Sequence, residues 1–448
     1  MPRGAFASWM LSQEARALRA RLDRVRPILL QETMVPAAVP AAGAIAAIED
    51  FLAAGRRSLR QRIDGFLGWL DGAEGRTATP AEANRSLTFL RLRFNAVLTQ
   101  LDVFSEAMSQ RSEADTGVLL RGLELAAHDA MQIPGVPTPP VLCYLARDAG
   151  GAIRRARTRL PGGGLNPVAL IRLPRERMLG SGVASSLVHE AGHQAADNLG
   201  LVAELRRSLA SPWPTARVPE VVQQLWWRWA SEIMADLWAI ARVGIASTLG
   251  LVTLVSLPRA FVMRVDAVDP HPSPWIRVLL SCAIGDELYA HPQWRRLAAL
   301  WRSYYPLESA PRSDLELLDT VQRSIPYAVQ RILACRSDAL GGRSLREALQ
   351  RAELHPDRLA RSFDRWRLQQ PATWRAAPCV AFAALGQARM DGVITPEAES
   401  RAVGQLLREW ALRSSLASAR VCSASSSQPH LVSGAGYLRA GILVRSMS

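Results

Sequence analysis

Residues 187–200 read "LVHEAGHQAADNLG". Ala184, Leu187, Val188, Ala191, Ala195 and Leu199 recur at three-to-four spacing, the signature of a helix with one apolar stripe. Ser181 is placed to cap that helix and Gly200 to end it. His189 and His193 stand one turn apart, so both imidazoles project to the same side and can share one metal ion. Glu190 is offset by about 100° from His189. A general base must stand there to take a proton from an attacking water without becoming a ligand itself. Ala191 and Gly192 are small and let a neighbouring element approach closely. With seven histidines in 448 residues, the pattern HExxH arises by chance with a probability of roughly 0.005, which favours metal binding over an amphipathic helix that happens to carry two histidines.

Two histidines do not complete a site. The extended pattern HExxHxxGxxH would need glycine at 196 and histidine at 199, where the chain has Ala196 and Leu199. The third ligand must come from elsewhere. Downstream, "WWRWASEIMADLWAIARVG" (226–244) is strongly helical and carries Glu232 and Asp236 on one face. Their flanks are tryptophan, isoleucine, methionine, alanine and leucine, so these carboxylates are costly to bury without a partner. Glu232 would complete a His2Glu set with a fourth position open to water. Asp236 is placed to accept the second ring N–H of a ligand histidine and fix its tautomer. In "DPHPSPWIRV" (269–278) prolines set a rigid turn, and His271 or Arg277 is placed to stabilise an oxyanion.

Together "HEAGH", "EIMAD" and "HPSPWIR" resemble the gluzincin zinc peptidases, most nearly the group of CAAX-prenyl-protease-like and heat-shock membrane peptidases. That group shows HExxH, then a glutamate in an ExxAD helix, then an HP turn followed by an arginine. The resemblance covers about 181–278. It implies a zincin-like catalytic domain and peptide-bond hydrolysis with Zn2+ held by His189, His193 and Glu232. It also implies Glu190 as base, Asp236 as a support for a ligand histidine, and His271 and Arg277 as accessory groups. Members of the group carry several membrane spans. The longest uncharged run here, "VGIASTLGLVTLVSL" (243–257), has 15 residues against the roughly 20 needed to cross a bilayer, so it reads as a buried core helix.

The remaining sequence frames this site. Residues 1–131 read as a helical N-terminal domain. Residues 132–310 read as the catalytic domain, in which "VLCYLA" (141–146), "AIRRARTRL" (152–160) and "VALIRL" (168–173) form a small sheet. Residues 311–413 read as a helical C-terminal region, and the Ser/Ala-rich stretch 414–448 as a disordered tail. The fold class expected is mainly α (α+β). Val168–Leu173, ended by Pro174, reads as an edge strand able to pair with an extended substrate. Trp226, Trp227 and Trp229 fit either a cleft wall or core.

Composition narrows the partners. The formal charge is +14, yet all 54 basic residues are arginines scattered among acids without interleaved aromatics, which argues against a specific nucleic-acid partner. Cys143, Cys282, Cys335, Cys379 and Cys422 are odd in number and never in CxxC spacing, and so read as buried or free thiols in a reducing compartment. The first residues hold no apolar run suited to a secretory signal, and cytoplasmic residence is the expectation. The expected partner is a peptide or protein substrate. A competing expectation is a helical interaction or scaffold protein whose zinc is structural or inactive. The fourth metal position separates the two, because His271 or a cysteine there would make the site structural.

Overall fold

The computed structural model describes residues 3–24, 34–147, 151–161, 163–175, 180–211, 213, 218–266, 268–368 and 376–426. The N-terminal region is built from α1 (Arg3–Arg24), α2 (Ala42–Asp71), the short α3 (Ala73–Thr77), α4 (Pro80–Ser109) and α5 (Ala114–Met131). Thr79 and Glu82 form a capping box at the start of α4, and Pro80 occupies its first turn, where no N–H is needed. α2 and α4, of 30 residues each, serve two cores. At one end they enclose Leu18, Ile63, Leu87 and Phe94 with α1. At the other, Ile48, Leu52 and Phe104 lie against Leu142 and Leu170 of the sheet.

The sheet has three strands, β1 (Val141–Ala146), β2 (Ala152–Arg154) and β3 (Ala169–Pro174), in the order β1-β3-β2. β1 runs parallel to β3, and β2 antiparallel to it. Strand periodicity divides the side chains. Leu142 and Leu170 face α2 and α4, while Cys143, Ile171 and Leu173 face the larger core. Two expectations change here. β3 is central rather than an edge, and Pro174 sits at its last position, opposite Ala146. β2 is three residues long rather than nine, because the chain turns after Arg154 and Arg157 adopts φ 64°.

Among the described residues β1 has no strand on its outer side, but side chains take the place of one. Gln110 accepts from Leu145 N at 2.7 Å and donates to Leu145 O at 2.8 Å. Glu124 accepts from Cys143 N at 3.2 Å, and Arg111 donates to Cys143 O at 2.7 Å. The buried Arg111–Glu124 pair thus has its charges matched, although Arg111 Nε and Nη1 are buried without an acceptor.

The chain continues through α6 (Ser181–Asn198), α7 (Leu201–Ala210), α8 (Glu220–Arg228), α9 (Ala230–Val243), α10 (Ile245–Val255), α11 (Arg259–Val262), α12 (Pro274–Leu288), α13 (Pro292–Tyr304), α14 (Arg312–Ala334), α15 (Leu345–Leu349), α16 (Pro356–Arg367), α17 (Pro378–Met390) and α18 (Pro396–Ser426). These helices bury one large core that takes in Leu119 of α5, Leu187 of α6, Trp238 of α9, Ile332 of α14, Phe382 of α17 and Leu407 of α18. α10 lies inside it against α6 and α17. Among the described residues no helix is long and apolar enough to cross a membrane. Cys143, Cys282, Cys335 and Cys379 are free and buried; the Cys422 side chain lies outside the described residues. α18 runs to Ser426, so residues 414–426, expected to be disordered, continue a helix already anchored by Leu407 and Trp410. Once nucleated, a helix extends through Ala- and Leu-containing sequence at little cost. The rest of the expected tail, 427–448, lies outside the described residues.

Candidate metal centre

α6 begins at Ser181 with Gly180 at φ 77° as its cap, and ends where Gly200 enters the left-handed region at φ 64°. Leu187, Val188, Ala191, Ala195 and Leu199 are buried as their spacing requires. Gly192 sets the approach of α9: a Cβ there would lie 3.0 Å from Trp238 Cβ and 3.2 Å from Ala235 Cα. This close crossing brings Glu232 and Asp236, both buried, to the histidine face of α6.

His189 Nε2 lies 3.3 Å from Glu232 Oε2, and His193 Nε2 lies 3.4 Å from Glu232 Oε1. The three residues offer donor atoms all within 4.8 Å of one another and form a group able to hold a metal ion. Glu232 Oε2 is buried without a hydrogen-bond partner, although imidazole nitrogens stand near it. Nitrogens that stand this near a carboxylate without hydrogen-bond alignment leave room for a cation between them. Two imidazoles and a carboxylate are a donor set suited to zinc.

Asp236 fixes the orientation of His189. Its Oδ1 lies 2.8 Å from His189 Nδ1, which commits that nitrogen to a proton and turns Nε2 toward Glu232. Arg277 grips Asp236 from the other side, Nε to Oδ2 and Nη2 to Oδ1, both at 2.7 Å. The charges answer one another. Burial opposes a charged His189, yet Asp236 and Glu232 prevail and raise its pKa to about 9. Burial would raise both carboxyls, but the two imidazoles hold Glu232 far below the usual carboxylate range, and Arg277 holds Asp236 at about 2.

The other residues singled out in the sequence surround this group. Glu190 is buried against the strand region, its Oε1 3.1 Å from where a Cβ on Gly151 would stand. His271 is half-exposed at the mouth, with Nδ1 2.8 Å from Asp269 Oδ1 and Nε2 3.4 Å from Glu232 Oε2. Arg277, read from the sequence as a possible oxyanion partner, is instead buried and turned onto Asp236. Of the tryptophans, Trp226 and Trp229 are core, whereas Trp227 is 44% exposed.

Three contributors escaped the sequence reading. Ser231 Oγ lies 3.5 Å from His193 Nδ1, and its place directly before Glu232 was the available signal. Gly151 precedes β2 and leaves room for the Glu190 carboxylate, a role that only the fold reveals. Asp269 holds His271 by both its backbone and its ring, a local turn that "DPH" could have suggested. Comparison of the chain with protein-family models, curated proteins and solved structures found no match.

Proposed function

We propose that the protein is a zinc-dependent peptidase of gluzincin type, with a zincin-like catalytic domain acting on peptide or protein substrates. The observation that carries this reading is the convergence of His189, His193 and Glu232 as three donors, with Glu190 beside them. Three protein donors leave a position for reactants, whereas a structural zinc uses four. The group comprises these three residues, with the half-exposed His271 outside it, and this favours hydrolysis over a structural ion.

Zinc at this group would supply a Lewis acid that polarises the scissile carbonyl. Glu190 takes the proton of the attacking water and returns it to the leaving amine. His271, tethered by Asp269 through Nδ1, presents Nε2 from the mouth and donates to the oxyanion in its doubly protonated form, since the neutral ring keeps its proton on Nδ1. Arg277 is a positioning residue: it holds Asp236, which holds His189. Because β2 is a sheet edge and the residue before it, Gly151, meets Glu190, an extended peptide pairs there rather than on β3.

Metal analysis of protein purified without chelators should find about one zinc per chain. Glu190→Gln should retain that zinc and lower kcat on a cleaved peptide by about 10²- to 10⁴-fold. Absence of metal, or full activity in Glu190→Gln, would remove the reading.

A further inference from the structure

A cavity of about 630 Å³ adjoins the metal centre, walled by Arg155, Asp197, Arg206, Arg207, Trp227 and Ser231. Ser231 links the two spaces, because its hydroxyl approaches Nδ1 of the same His193 ring whose Nε2 faces Glu232. The arginines in this wall are not equivalent. Arg155 is paired with Asp197 at 2.7 Å, and Arg207 with Glu204 at 2.5 Å. Arg206 stacks over the Trp227 ring at 4.7 Å and has no ion pair or hydrogen bond among the described residues. Its Nε is buried without an acceptor. The Nη atoms are not buried and have no acceptor among the described residues either, and they are the donors that a ligand oxygen in the cavity can reach.

The direction of the chain places this cavity relative to the reaction. Residues 151–156 run alongside α6 in the same sense: Gly151 meets Glu190, Ala156 N donates to Gln194 Oε1 at 2.7 Å, and Arg155 reaches Asp197. A peptide pairing antiparallel to β2 runs the opposite way, from the cavity toward Glu190. Its residues N-terminal to the scissile bond therefore pass the cavity.

We infer that the cavity is a specificity site for an aspartate or glutamate side chain on the N-terminal side of the scissile bond, with Arg206 receiving the carboxylate. The inference rests on the peptidase reading for its placement, but not for the carboxylate site itself. Trp227 forms the flat wall that keeps the Arg206 guanidinium extended and limits its contact with water. A free C-terminal carboxylate offers the same chemistry but lies on the wrong side of the bond.

The probes are capped hexapeptide libraries, each fixed as glutamate or glutamine at one position, made with C-terminal amides and with free acids. Binding to zinc-loaded Glu190→Gln protein is read by fluorescence anisotropy, and cleavage by the wild type is read by mass spectrometry. Glutamate libraries should bind about tenfold more tightly than their glutamine counterparts, and cut sites should carry the acid N-terminal to the bond. Arg206→Gln should erase the difference, Arg206→Lys should restore part of it, and Arg206→Glu should turn the preference toward basic peptides. Equal binding of the two libraries, a preference that survives Arg206→Gln, or a preference only for free C-terminal acids or acids beyond the bond would overturn the inference. Arg206-dependent binding without any cleavage would sink the peptidase reading and leave the carboxylate site standing. Cleavage indifferent to acids would do the reverse.

Discussion

At the crossing of α6 and α9 two imidazoles meet Glu232; at the junction of α13 and α16 two others, His291 and His355, meet Asp357. The first pair has ring centroids 4.8 Å apart, the second 6.3 Å. In the first, Asp236 occupies His189 Nδ1 and leaves Nε2 to the centre. In the second, His291 caps α13 by accepting from Gln293 N at 3.3 Å through Nδ1, which leaves the proton on Nε2, 3.8 Å from Asp357 Oδ1. A nitrogen that carries its proton cannot donate a lone pair. Glu232 is buried, whereas the Asp357 side chain is 59% exposed and loses little by remaining hydrated. What distinguishes the group able to hold a metal ion is thus a tautomer set from outside and an acid kept from water.

The sharpest way to break this contrast is to remove one histidine from each place. His193→Ala should lose the bound zinc and with it all activity, whereas His291→Ala should keep one zinc per chain and cost at most about 1 kcal/mol of stability as a lost cap. Elemental analysis and thermal melts check both outcomes. Next in size, Asp236→Asn should weaken zinc binding by about 10- to 100-fold, measured by competition with a chromophoric chelator.

Acidity probes the same difference. A His189 pKa raised from 6.5 to about 9 means that chelator-stripped protein gains stability from this group below pH 6.5 and loses it as pH rises toward 9. Zinc competes with that proton, so its affinity should climb over the same interval, by roughly tenfold per pH unit. Melts of stripped and zinc-loaded protein should therefore move in opposite directions. The smallest effect expected on zinc binding is from Gly192→Ala, whose methyl must displace Trp238 or Ala235 by a few tenths of an ångström and cost about 1–3 kcal/mol of stability. A lower melting temperature together with weaker zinc binding would show that the α6–α9 spacing matters to both.

How much of this was legible in the sequence depended on the range of the signal. The helical spacing of His189 and His193 is local, and so was readable. Glu232 and Asp236 were readable because an acidic pair among buried apolar neighbours demands an explanation. The sheet order was not, because Pro174 suggests an edge but is equally tolerated at the end of a central strand. "AIRRARTRL" promised a long strand, yet the left-handed turn at Arg157 depends on Asn166, which accepts from Arg157 N through its backbone and donates its side chain to Arg154 O and Arg155 O. Nor could Arg206 be distinguished among 54 arginines until Trp227 and the cavity were placed around it.

The side chains that seal β1 have a consequence for self-association. Gln110, Arg111 and Glu124 occupy its outer backbone groups, so among the described residues the edge left for growth is β2, where Asn166 already takes Arg154 O. A second copy that docked strand to strand would therefore cover the edge at which the proposed substrate would pair. Edge-to-edge dimerisation would then act as a competitive inhibitor of the proposed reaction, and activity per molecule would fall as the protein is concentrated.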